Sequence, residues 1–129
     1  MSLPKESLHL QGLRGATTSQ CNKAEAIEAS VTELVNELVE RNHLKPEQII
    51  SITFSVTTDL TACFPAAIAR RHPGWENVAL IDCQQMFVEG DLKNCIRILA
   101  HVLLPINQKP QHTYLGDAIL LRPDRSIHN

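Results

Sequence analysis

The chain has 129 residues, a formal net charge of −2 and 43% hydrophobic residues, which is enough apolar material for a core. Its length fits one domain, because single domains cluster at roughly 100–150 residues. The slight negative charge argues against a nucleic-acid-binding protein that gains affinity by releasing counterions. No apolar run approaches the roughly 18 residues of a membrane span, and the first residues lack the apolar core of a signal peptide. We therefore expect a soluble cytoplasmic domain that binds neither nucleic acid nor membrane.

The charge is unevenly distributed. Five glutamates lie within residues 23–41, so the remainder of the chain is slightly positive. The cysteines form no CxxC pair and have no histidine at a metal-ligand spacing; they are Cys21, Cys63, Cys83 and Cys95. We expect reduced, mostly buried thiols and no metal site.

The amino-terminal part predicts a frayed or cloning-derived terminus over residues 1–7, followed by a single domain over residues 8–129. Residues 8–13 alternate as a strand does. The small and hydroxylated residues at 14–18 indicate a turn or the end of that strand.

A long amphipathic helix follows. Apolar residues recur with the spacing of one helical face, at Ile27, Val31, Leu34, Val35, Leu38 and Val39. Asn22 is predicted as the N-cap, and Glu25 stands three positions later, where its side chain can bond back to the cap. The glutamates lie largely off the apolar stripe and indicate a solvated face.

The rest of the chain predicts strands and one short helix. Residues 49–56 alternate apolar and polar side chains, and Pro65 begins a helix that runs to Arg70. Further strands are predicted over 78–83, 94–104 and 113–121, with an irregular segment over 84–91. The order is β-α-β-α-β-β-β, which predicts an α+β domain with helices on one face of a mixed sheet.

Arg97 is the most informative single residue. It lies within a predicted strand among apolar neighbours, where an unpaired buried charge would cost several kcal/mol. Two explanations remain open, namely a structural ion pair with a nearby acid or an anionic ligand held by the planar guanidinium group. Arg14, Arg70 and Arg122 stand at the ends of predicted elements, and each alone is typical of a surface arginine. Because no conventional catalytic motif accompanies them, the residue pattern by itself indicates a domain that binds a small anion.

Four segments occur together in the order and spacing of one enzyme family. They are Gly12-Leu13-Arg14-Gly15-Ala16-Thr17-Thr18, then Thr58-Asp59-Leu60 with Phe64-Pro65-Ala66, then Gly90 to Arg97, then Tyr114 with Leu121-Arg122-Pro123-Asp124. Over residues 10–126 the chain thereby resembles the monofunctional chorismate mutases of the trimeric pseudo-α/β-barrel class. The resemblance implies a homotrimer with active sites between subunits. It also implies the rearrangement of chorismate, a dicarboxylate, to prephenate in the synthesis of phenylalanine and tyrosine from the shikimate pathway. Because that reaction is a pericyclic shift, the resemblance implies no metal, no organic cofactor and no covalent intermediate.

The resemblance also assigns roles to residues. Such a site must hold the flexible substrate in a compact conformer and stabilise charge on the breaking ether oxygen. Arg97 matches the cation that donates to this oxygen and to a carboxylate, Arg14 matches a carboxylate-binding arginine, and Tyr114 matches a phenol that hydrogen-bonds the substrate. Arg70 and Arg122 match cations at the pocket mouth. The residues that match pocket-lining positions are Phe64, Ala66, Leu80, Ile81 and Leu121.

One departure from the family pattern concerns charge. The family usually has a glutamate at the position of Gln85, whereas this amide carries no charge. Asp82 stands where relatives usually have a small cysteine or serine. We hypothesise that Asp82 supplies the displaced carboxylate and that Gln85 remains a neutral hydrogen-bonding partner; the simpler alternative is that Asp82 only neutralises an arginine.

Two other functions remain open. The first is a trimeric binding module that senses an aromatic-pathway acid without converting it, which the missing glutamate favours. The second is an imine deaminase of the related trimeric barrel type, which also uses an arginine between subunits. The spacing of Phe64-Pro65, Arg97 and Tyr114 favours the mutase over this last alternative.

Overall fold

The computed structural model describes residues 7–121. In chain order these form β1 (Leu8–Thr18), α1 (Ala24–Asn42), β2 (Ile49–Val56), α2 (Pro65–Ala69), β3 (Ala79–Gln84), β4 (Cys95–Pro105) and β5 (Thr113–Tyr114). Short 3-10 helices cover Pro46–Gln48 and Gly116–Leu121. The strands make one five-stranded sheet in the order β3-β2-β4-β1-β5. The pairs β1–β4 and β2–β4 are antiparallel, while β2–β3 and β1–β5 are parallel, so the mixed sheet predicted from the sequence is confirmed.

The core lies between the helices and one face of the sheet. The predicted stripe of α1 is buried at Ile27, Val31, Leu34, Val35 and Leu38, and Val39 is partly buried. It packs with alternate side chains of the central strands, which are also fully or almost fully buried and include Ile52, Phe54, Ile96, Ile98 and Ala100. Burying an aliphatic side chain of this kind contributes about 1.5–3 kcal/mol. Both helices therefore cover the same face, and we call the opposite one the open face of the sheet.

The prediction that Asn22 caps α1 is wrong. The N-cap is Lys23, whose side chain makes no capping bond. The Asn22 side chain instead accepts the backbone N–H groups of Thr61 and Ala62, at 2.9 and 3.0 Å, and donates to the Thr61 hydroxyl at 2.8 Å. Three bonds to the loop before α2 satisfy the amide more fully than one capping bond would.

The first strand is longer than predicted and the last is shorter. Of the two alternatives for residues 14–18, the end of the strand is confirmed and the turn is wrong, because β1 pairs continuously with β4 from Leu8–Pro105 to Thr18–Cys95. In contrast, the strand predicted over 113–121 ends at Tyr114. Gly116 then adopts a left-handed φ of 54° and starts a 3-10 helix, which accounts for the end of the strand. Among residues 7–121, no helix has the length and apolar character required to cross a membrane.

The predicted boundary between a terminus over 1–7 and a domain over 8–129 stays a prediction. Residues 1–6 and 122–129 lie outside the described residues. Ser7 is described, and its carbonyl accepts the backbone N–H of Ile106 at 2.9 Å.

Candidate active site

The open face carries a row of side chains to which every strand contributes one member. Residues that are directly paired across a sheet point to the same side of it. The pairings place the row in the order Cys83, Ser55, Arg97, Ala16 and Tyr114. The neighbouring row contains Ile81, Thr53, Leu99 and Arg14.

A cavity of about 440 Å³ lies over these two rows. Four residues predicted for the site line it together, namely Arg14, Arg97, Tyr114 and Leu121. Thr53 and Ser55 add hydroxyl groups to the wall, and Leu99 adds an apolar surface. The cavity therefore presents two guanidinium groups, one phenol and two hydroxyls to a ligand.

Arg97 is only half-buried, with 38% of its side chain exposed, so the charge is less enclosed than the sequence indicated. Its Nη2 lies 3.7 Å from Oδ2 of Asp91, an ion-pair distance that exceeds the usual length of a hydrogen bond. Its buried Nε has no hydrogen-bond partner among residues 7–121. An acid is thus close to Arg97, yet guanidinium N–H groups remain for a ligand.

The Cys95 thiol, two residues before Arg97, does not neutralise the guanidinium. Burial raises the pKa of Cys95 above 9.0, although the Arg97 charge acts in the opposite direction. The thiol therefore stays protonated at neutral pH, and it is not an activated nucleophile.

Gln85 connects this row to Asp91. Its Oε1 accepts the Ser55 hydroxyl at 3.1 Å, and its Nε2 donates to Oδ2 of Asp91 at 3.2 Å. Sequence analysis did not single out Asp91. Its only sequence signal was an acid in the irregular segment before the Arg97 strand, and the pattern contains nothing that would set its distance from Arg97.

Arg14 and Tyr114 are held by the edge of the sheet. The backbone N–H of Arg14 donates to Nδ1 of His112 at 2.9 Å, and Tyr114 is buried beside Ala16 in the row. Sequence analysis also missed His112, because the bond joins residues that are far apart in the chain.

The remaining predicted residues form a second group around α2. Oδ1 of Asp82 accepts the backbone N–H of Ala66 at 2.9 Å. Burial raises the pKa of the Asp82 carboxyl, whereas this hydrogen bond and the Arg70 charge lower it. Because Asp82 pairs with the fully buried Phe54, it lies on the helix face of the sheet. One chain therefore does not bring Asp82 to its own Arg97, and the hypothesis that Asp82 supplies the displaced carboxylate stays a prediction.

Three further residues predicted to line the pocket are placed as follows. Leu80 lies on the helix face and is partly buried, whereas Phe64 and Ile81 are 72% and 61% exposed. Phe64 and Ile81 are therefore large apolar side chains on the surface of the single chain. Arg122, predicted at the pocket mouth, lies outside the described residues.

The fold and the site together define a class of protein: a small α+β domain with a half-open, doubly cationic pocket that can hold and orient an anionic ligand. The comparisons with known proteins identify its family. The family model for chorismate mutase type I matches residues 10–125, and the chain belongs to this family.

Individual relatives agree over nearly the whole chain. Chorismate mutase AroH of Bacillus subtilis is 39% identical over 119 residues, which cover 92% of this chain and 94% of the relative. Chorismate mutase AroH of Thermus thermophilus is 37% identical over 117 residues, which cover 89% and 95%. A solved chorismate mutase structure from Clostridium thermocellum superimposes with a TM-score of 0.79 at 41% identity, covering 85% of this chain and 98% of that one. The family predicted from the four segments is confirmed, and so is the fold class.

Proposed function

We propose that this chain, a chorismate mutase, rearranges chorismate to prephenate in the pocket of Arg14 and Arg97. The observation that carries the assignment is the placement of both guanidinium groups on adjacent rows of the open face, over one cavity. A dianionic substrate needs two cations, and a pericyclic shift needs no nucleophile. The pocket offers the former, and the thiol of Cys95, two residues from Arg97, is kept protonated.

In this assignment Arg14 and Tyr114 hold the substrate, and Arg97 stabilises the transition state. Arg14 binds one carboxylate, and Tyr114 adds a hydrogen bond that restrains the compact conformer. Arg97 donates to the ether oxygen as the bond to it breaks and negative charge develops there. A fixed donor in that role is worth roughly 3–4 kcal/mol, by analogy with the deletion of one oxyanion-hole donor.

We further propose that three copies assemble and that each site lies between two of them. The α2 group of one chain, with exposed Phe64, would cover the Arg97 pocket of its neighbour and bring Arg70 to its mouth. One feature supports this arrangement: the pocket is open in a single chain, and no residue of the same chain's α2 lines it. We also propose a cytoplasmic location, which the four free thiols support.

The decisive test is the loss of chorismate, followed by ultraviolet absorbance, in the parent chain and in Arg97→Ala. We expect kcat/KM to fall about 100- to 1,000-fold, since the donor to the ether oxygen is gone. Arg71→Ala is the matched control, because Arg71 is exposed and paired with Glu28 on α1, away from the pocket. It should stay within about two-fold of the parent.

A parent chain without Arg97-dependent turnover would overturn the mutase assignment. Arg97-dependent binding of chorismate without turnover would indicate the binding module instead.

A further inference from the structure

The positive charge of the proposed site is not balanced by a carboxylate at the position where the resemblance implies one. Two arginines face the pocket, and the residue that usually supplies a balancing carboxylate is the neutral Gln85. Asp82 is on the other face of the sheet, and its Oδ1 is bonded to the Ala66 backbone. The question is which acid, if any, takes over this role.

Asp91 meets the geometric requirement. Its Oδ2 lies 3.2 Å from Nε2 of Gln85 and 3.7 Å from Nη2 of Arg97, so one oxygen atom faces both side chains. Gln85 stands at the position where the resemblance implies a glutamate, and Arg97 is the cation expected to act on the ether oxygen.

The Asp91 carboxylate is held in place by its own segment. Oδ1 accepts the backbone N–H of Leu92 at 2.8 Å, and the Asp91 N–H donates to the Val88 carbonyl at 3.1 Å. Gly90 precedes it with a left-handed φ of 84°, a conformation that glycine adopts at little cost. With 27% of its side chain exposed, Asp91 is screened from water more than an ordinary surface acid.

We propose that Asp91 is the carboxylate of this active site, acting as a positioning residue for Arg97 and Gln85. Its charge draws the Arg97 guanidinium toward one orientation without occupying it at hydrogen-bond distance, so that N–H groups remain for the substrate. Its hydrogen bond fixes the Gln85 amide with Nε2 toward Asp91 and Oε1 toward the Ser55 hydroxyl. The carboxylate of the site then lies at position 91, beside the Gln85 amide, and not at position 85, where the resemblance implies a glutamate. The proposal rests on the mutase function proposed above.

Asp91→Asn tests the proposal because it removes the charge and keeps an oxygen for the Leu92 N–H. We expect kcat to fall about 10- to 100-fold through misalignment of Arg97. KM should stay level or fall, because the change removes a negative charge near a dianionic substrate. A merely structural disturbance of the segment would instead raise KM.

Glu89→Gln is the matched control. It removes the same charge from an exposed position in the same segment, and it should leave kcat within about two-fold of the parent. The rescue variant is Gln85→Glu in the Asp91→Asn background, which returns a carboxylate beside Ser55. We expect it to recover at least about ten-fold of the lost kcat if the loss is near 100-fold.

The outcomes separate the two proposals. Absence of Arg97-dependent turnover in the parent overturns the mutase function and, with it, the role of Asp91. Parent turnover with Asp91→Asn within two-fold of it overturns the role of Asp91 alone. A melting temperature lowered by more than about 5 °C, with no rescue by Gln85→Glu, assigns a structural role and likewise overturns the proposal.

Discussion

Asp82 and Asp91 are close in the sequence, yet their side chains reach opposite faces of the sheet. Asp82 follows Ile81, which points to the open face, and so it must point to the helices. Asp91 lies in the irregular segment and approaches Arg97 through the path of its backbone. Arg14, Arg97 and Tyr114 could be predicted because they belong to local segments that resemble a family. Asp91 could not, since the conformation of residues 85–94 sets its distance to Arg97.

The environment of Asp82 makes the free energy of unfolding depend on pH. Burial raises its pKa above the ordinary 3.8. The folded state therefore binds this proton more tightly than the unfolded chain, and stability falls as the pH rises through the titration of Asp82. Asp82→Asn keeps an oxygen for the Ala66 N–H and removes that cost.

We expect Asp82→Asn to be more stable than the parent at pH 7, by less than about 1 kcal/mol because the carboxyl is partly solvated and Arg70 offsets part of the cost. The difference should shrink toward about pH 3.5, as the parent carboxyl becomes protonated. Urea denaturation at both pH values, at one protein concentration, measures it. A variant less stable than the parent at pH 7 would show that ionised Asp82 is net stabilising.

At the scale of elements, α1 and β2 could be predicted because their periodicity is local and strong. Arg14-Gly15-Ala16-Thr17-Thr18 has a composition that suits a turn as well as a strand end, and only its pairing with distant β4 makes it a strand. The several apolar residues within 115–121 predict a longer last strand, yet the left-handed Gly116 directs them into a 3-10 helix. In both cases a long-range pairing or a turn conformation prevailed over local preference.

The β1–β5 pairing depends on the absence of a side chain at Gly15. A Cβ there would lie 2.7 Å from the Thr113 carbonyl oxygen and 3.0 Å from Ile98 Cγ2. Gly15→Ala should therefore push β5 away, cost about 1–3 kcal/mol of unfolding free energy and displace Tyr114. Activity should fall with stability.

Gly12→Ala is the control on the same strand, because its Cβ would meet only Leu99 Cδ1 at an ordinary 3.8 Å. Its unfolding free energy should stay within about 0.5 kcal/mol of the parent. Equal losses in the two alanine variants would contradict the role given to the β5 contact.

At the scale of the whole molecule, most of the predicted site residues that the structure describes fall into two groups, one at the pocket of the open face and one around α2. The open face also exposes three apolar residues, Leu10, Ile81 and Leu99. Leu99→Asp places a charge among them, and we expect it to convert the proposed trimer to monomer. Analytical ultracentrifugation at about the assay concentration measures the mass.

The control for this variant is Thr32→Asp, which adds the same charge on the exposed outer surface of α1. It should keep the mass of the parent. A parent that sediments as a monomer at all concentrations would contradict the trimer, and so would a Leu99→Asp variant that remains trimeric.

The pairing of β1 with β4 joins distant parts of the chain and therefore affects folding during synthesis. β1 forms early in synthesis, yet its antiparallel partner is separated from it by most of the chain, and β4 also joins β1 to β2. Until the ribosome has released β4, β1 has no strand to pair with and its core residue Leu13, buried in the folded chain, is unprotected. The pairings of the central strand β4 therefore form late in synthesis. We expect dependence on chaperones to be greatest in the interval before β4 emerges from the ribosome.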